Sequence, residues 1–163
     1  MQSAHGQASI DLQRAFFGEK ERAVLNYGGM SASLFCYDTG IEAIRLSNAR
    51  GYVLILPYMG QIVWSAVFDG VELAMQSMFS TPRPAKVIVE TYGCLVYHAG
   101  LLRNGVPSRQ DTHILHGEMP CAEMDKAGLS CGTDDQGPWI AVTGEREYAV
   151  GFGAHYLDRK SVV

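Results

Sequence analysis

The chain predicts an all-β, antiparallel sandwich, and three observations lead there. Apolar and polar residues alternate in short runs, as at Ile44-Arg45-Leu46-Ser47, with the period of two that a half-buried strand requires. Turn sequences separate these runs at Asp38-Thr39-Gly40, Asn48-Ala49-Arg50-Gly51 and Asp69-Gly70. No helical period connects them, and sheets this apolar need a second layer to cover them.

Taken in order, Met1 to Ser9 is small and polar and reads as a loose arm. Ile10 to Phe17 reads as a short helix capped by Ser9, with Leu12, Phe16 and Phe17 on its apolar face. Residues 1–30 are therefore expected to be an arm and short helix, and residues 31–163 the sandwich. Ser33 to Asp38 is a strand after the Gly28-Gly29 interruption. Ile41 to Pro57 is a hairpin. The next strand sets Ile62, Trp64, Ala66 and Phe68 on one face before turning at Asp69-Gly70 into Val71 to Met75. These strands form a meander.

The prolines in Ser80 to Pro84 make that stretch loop. Lys86 to Tyr92 is extended or a single helical turn, and Cys94 to Tyr97 is a short strand delivering His98. Ala122 to Cys131 mixes charged and small residues, and Gly132 to Gly137 is loop. Trp139 to Val142 and Arg146 to Phe152 form a last hairpin about Thr143-Gly144. Asp158 to Val163 carries no sign of a closing strand, which suggests that partner strands lie outside this sequence.

Composition bounds the function. A chain of 163 residues is of one-domain size, and 47% hydrophobic with 18% charged residues builds a core. A formal net charge of -4 gives no electrostatic reason for a nucleic acid or an anionic membrane as partner. The longest apolar run, Val53 to Pro57, falls far short of the ~20 residues a bilayer-spanning helix needs. Cys36, Cys94, Cys121 and Cys131 are widely spaced with no leader before them, as expected of free thiols in the cytoplasm.

Chemistry concentrates in Asp111 to Cys121, which holds two imidazoles, two carboxylates and a thiol. It reads as a strand end running into a tight turn at Gly117, stopped by Pro120, that presents His116 and Glu118. One expectation is a polar pocket for a small hydroxylated ligand, a carbohydrate. His116 donates to an oxygen, Glu118 orients it or accepts from a hydroxyl, Arg103 adds a charged donor, and His98 and His113 complete the lining. Tyr92, Tyr97 and Trp64 are the aromatics within reach, and Trp64 belongs to the core. The alternative is a metal-dependent, cupin-like sugar isomerase on His98, His113, His116 and Glu118, although on a strand His113 points away from His116. A third is a non-catalytic β module that pairs through an open edge. Asp111 is a turn former, Cys94 and Cys121 are small hydrophobes, and Asp134-Asp135 is solvated.

Leu115-His116-Gly117-Glu118, preceded by Gly105-Val106-Pro107 and by the strand Ile44 to Gly51, resembles the galactose mutarotase-like superfamily. With Leu56 to Gln61 and Glu90 to Cys94 it looks most like the aldose 1-epimerase-like branch, over residues 40–157. The resemblance implies a large twisted sandwich of supersandwich type, here its N-terminal half, that binds a sugar on a concave sheet. It implies acid–base chemistry at the anomeric centre without a cofactor. In such proteins a histidine in a Leu-His-Gly-Gly segment holds the sugar with an upstream arginine. His116 matches that histidine, Glu118 stands where a glycine is expected, and Arg103 lies nearer than the usual arginine. The second histidine and the glutamate base come from later strands, beyond this sequence, so the catalytic assignment rests on His116 and Glu118 alone.

Overall fold

The computed structural model describes residues 7–149, 151–152 and 155–162; of the expected arm at Met1 to Ser9, residues 1–6 lie outside them, and Ala8 and Ser9 are not loose but part of a strand. The meander is there. β2 (Arg22–Tyr27), β3 (Met30–Cys36), β4 (Glu42–Asn48), β5 (Gly51–Leu56), β6 (Ile62–Phe68) and β7 (Val71–Glu72) form one antiparallel sheet of six strands in sequence order. A second sheet of four strands runs β1 (Ala8–Asp11), β8 (Lys126–Asp134), β9 (Gly137–Ala149) and β10 (His155–Val162). All pairings within the two sheets are antiparallel, so the sandwich class stands.

The two sheets share a core. Ala127, Leu129 and Cys131 alternate inward on β8, and Ile140 and Val142 on β9. They meet Ala32, Leu34, Ile44, Ile55 and Val63 from the larger sheet. Each large aliphatic residue buried here contributes about 1.5–3 kcal/mol. The other face of the larger sheet is also covered: Leu54, Leu56, Ile62 and Trp64 pack against Ile88 and Cys94 of the long connection 73–125. That connection is a third layer of irregular chain. It returns to the sandwich where Gly60 N donates to Ala122 O and Met124 N to Tyr58 O.

Several expectations need correction. Ile10 to Phe17 is not a helix: β1 pairs along β8, Ile10 opposite Leu129, and only Arg14–Phe16 makes a single 3-10 turn. A sheet edge over a hundred residues away outcompetes the weak local helical preference. Arg14 then bridges Glu42 at 2.7 Å and Glu123 at 3.0 Å with its guanidinium 4.4 Å over the Tyr58 ring. β2 was not foreseen. Lys86 to Tyr92 does contain the single helical turn, a 3-10 turn at Ile88–Glu90, whereas Cys94 to Tyr97 makes only an isolated bridge, Val63 with Val96. Thr143-Gly144 is no turn, since β9 runs straight through it, and the hairpin is β8–β9, turning at Asp135-Gln136. β10 supplies the closing strand that the C-terminal residues did not suggest, pairing Tyr156 with Tyr148.

The predicted single face of β6 is split. Leu54 pairs with Ser65 but Ile55 pairs with Val63, which leaves Trp64 as the extra residue of a β-bulge. Ile62 and Trp64 therefore face the long connection, whereas Phe68 turns to the space between the sheets.

Candidate functional site

Residues 98–118 fold around a parallel bridge between Gly100 and Gly117. Gly100 N donates to His116 O, His116 N to Gly105 O, and the amides of Glu118 and Met119 both to Gly100 O. The expected strand end is absent. Instead His116 takes φ 62° and Gly117 φ 84°, both left-handed, so the turn is made by these two residues themselves. Gly117 is required twice over: a Cβ there would lie 2.0 Å from Arg103 O and 2.8 Å from Gly100 O. A left-handed histidine costs on the order of 1–3 kcal/mol and persists because four backbone hydrogen bonds determine it.

Glu118 is the organising side chain. Its Oε2 accepts from the backbone amides of Leu102 at 3.0 Å and Arg103 at 3.2 Å. A carboxylate taking two N–H groups orders the Leu101–Asn104 turn and keeps its other oxygen available. Glu118, Arg103 and His113 line one cleft of about 280 Å3, closed by Thr112 and Ile114 and by Tyr148 reaching in from β9. His113 Nδ1 lies 2.7 Å from Ile114 O; as a carbonyl only accepts, Nδ1 carries the proton and Nε2 of the neutral ring is an acceptor.

His116 is not in that lining. Its half-buried ring sits 5.5 Å from Tyr97, which is 6.1 Å from Tyr92, giving an aromatic row beside the turn. Burial pushes the Tyr97 phenol up, with Tyr92 and Cys94 adding to it. His98 is half-buried two residues before the bridge and does not line the cleft either. The predicted set thus divides: Arg103, His113 and Glu118 meet, while His116 and His98 lie alongside. Among the described residues, no three or more of His, Cys, Asp and Glu are grouped to hold a metal ion, so His98, His113, His116 and Glu118 do not converge as the cupin-like alternative requires.

Asp111 forms the expected turn, accepting from Ser108 N at 2.7 Å. Those bonds to Ser108 hold its carboxyl below the usual carboxylate range; slight burial opposes them, and His113, when protonated, and the Arg103 charge add to them. Cys94 is raised by burial, and Cys121 is pushed up to about 12 by burial with help from Cys94 and Glu90, so neither is a nucleophile near neutrality. Tyr148 is the residue the sequence did not offer. It lies thirty residues beyond Glu118 in a segment read as ordinary hairpin, and only the pairing of β9 brings it over the cleft. Comparison with protein-family models, with curated proteins and with solved structures returned no match.

Proposed function

We propose that this chain is a carbohydrate-binding protein of the aldose 1-epimerase-like, mutarotase type, acting at the anomeric centre of a sugar. The observation that carries the reading is the pinned Glu118 carboxylate facing a small cleft it shares with Arg103 and His113. Sugars present alternating donors and acceptors, and this cleft offers the same: the Arg103 guanidinium donates, while His113 Nε2 and the second Glu118 oxygen accept. In this role Glu118 accepts from a sugar hydroxyl, and His116, beside the cleft and against Tyr97, donates to a ring or hydroxyl oxygen. The four free cysteines agree with a reducing, cytoplasmic setting.

Isothermal titration with a panel of aldoses and ketoses tests the reading on wild type, His116→Ala and Glu118→Gln. A saturable heat for at least one sugar, weakened tenfold or more in both variants, is the expected result. Equal heats in all three proteins overturn it.

A non-catalytic β module is the second reading, favoured by one observation. Val71, Leu73, Met75 and Met78 stand exposed in and just after β7 at the edge of the larger sheet, and the carboxylate on β7, Glu72, is turned onto Ser65 Oγ and the amides of Ala66 and Ala74. An edge without a free charge invites pairing. Size-exclusion chromatography separates the readings: a monomer unaffected by Leu73→Lys removes the module.

A further inference from the structure

The opposite end of the sandwich from the β5–β6 turn is not filled. Where the β2–β3 and β4–β5 turns sit, the sheets part and leave a slot of about 240 Å3. Met30, Leu46, Val53 and Phe68 of the larger sheet and Ile140 of the smaller one line it. These residues continue the inter-sheet core: Ile140 belongs to it, and Met30, Leu46 and Val53 pack against it. Cores normally close to crystal-like density, and a far smaller gap already forfeits contact energy. Here the gap is held open by backbone. A Cβ on Gly51 would lie 1.8 Å from Val67 O, so no larger residue at 51 can fill the slot from that side, and Gly28 abuts Pro138 so closely that the β2–β3 turn is seated on β9.

The slot does not end at a bare surface. Met30, Ser31, Ser47 and Asn48 also line a wider hollow of about 620 Å3 outside it, so the two spaces adjoin. The hollow adds Asn26 and Tyr27, and among the described residues neither space is lined by a charged side chain. Tyr27 Oη is engaged with Thr133 Oγ1 at 2.8 Å, and Asn48 Oδ1 accepts from the amides of Arg50 and Gly51. The residues around the hollow therefore bring only neutral polar groups, from Asn26, Asn48 and the serines, beside the apolar slot.

We infer that this end of the sandwich is a second binding site, separate from the Glu118 cleft, for a neutral amphiphile whose alkyl segment enters the slot and whose uncharged polar head rests in the hollow. The slot, at about 240 Å3, exceeds the roughly 150 Å3 of an apolar cavity that admits benzene, which suits a medium-length alkyl chain. An apolar slot lined by Leu, Val, Phe, Ile and Met gains nothing from water and gains dispersion contacts from methylenes. The head must be uncharged because no side chain there pairs with an ion, and a buried unpaired charge is costly.

The probe is tetraethylene glycol monooctyl ether below its micelle threshold, chosen because it carries no sugar and so does not report on the Glu118 cleft. Titration calorimetry is expected to give saturable one-to-one binding that Val53→Phe weakens at least tenfold and His116→Ala leaves unchanged. Octanoate and octyltrimethylammonium are expected to bind at least tenfold more weakly than the neutral ether. In the wild-type protein, nuclear Overhauser contacts should join the octyl methylenes to the methyls of Leu46, Val53 and Ile140, which decides the matter even where Val53→Phe does not fold. Absence of saturable binding, contacts to other methyls, or equal affinity for the charged probes overturns the inference. Loss of ether binding in His116→Ala also overturns it, since the two sites would then be one.

Discussion

At the scale of single residues, the turn at 116–118 depends on Gly117, where a side chain has no room. Gly117→Ala places a methyl against Arg103 O in a backbone region that alanine avoids, and a cost of about 2–4 kcal/mol is expected, read as a lower midpoint in urea unfolding. Glu118→Gln has a different signature. The amide oxygen still accepts from Leu102 and Arg103, so stability should change by no more than about 1–2 kcal/mol while sugar affinity falls. A variant that loses both together would show Glu118 to be purely structural. The importance of this stretch was legible because two histidines, two carboxylates and a glycine before a proline are rare in one run. Its geometry was not: alternation around Ile114 and Leu115 mimics a strand, and nothing local tells that the partner of His116 N is Gly105 O rather than a neighbouring strand.

At the scale of elements, the meander from β3 to β7 was readable because each strand pairs with the next across a short turn, so local alternation and turn chemistry suffice. β1, β8 and β10 escaped for the converse reason. β8 carries Gly128, Ser130 and Gly132 where a strand usually shows branched residues, and its identity comes from two flanking strands rather than from its own composition. Thr143-Gly144 imitates a turn, yet Gly144 is there because a Cβ would lie 2.5 Å from the buried Gln61 amide. Native-state hydrogen exchange should therefore find the amides from Val142 to Glu145 protected like the rest of β9, bonded on both sides by β8 and β10. Rapid exchange confined to 143 and 144 would restore the hairpin first expected there.

At the scale of the whole molecule, stability should be bounded by carboxylates in acid and thiols in alkali. Burial pushes Glu72 up, but hydrogen bonds from Ala74, Ser65, Ala66 and Leu73 outweigh it and leave the carboxyl below its ordinary value; Asp111 is lowered by Ser108. Groups lowered by folding stabilise above their unfolded pKa, near 4, and that contribution disappears as pH falls through the folded values. Cys121 runs the other way: raised to about 12, its neutral thiol contributes fully below the unfolded value of about 8.5 and is lost as pH climbs from there toward 12. Urea midpoints measured from pH 7 to 10.5 should decline, and Cys121→Ala should flatten that decline. An unchanged slope in the variant would mean the thiol ionises without opening the fold.

The extra residue at Trp64 makes one ribbon serve two interiors, Ile62 and Trp64 toward the irregular layer that carries His116, and Phe68 toward the gap at the far end. Excising that tryptophan would rotate everything upstream of it by half a pleat, swapping which interior each side chain seals. A single codon thus couples the irregular layer that carries His116 to the integrity of the inter-sheet packing, and its deletion should disturb both compartments at once.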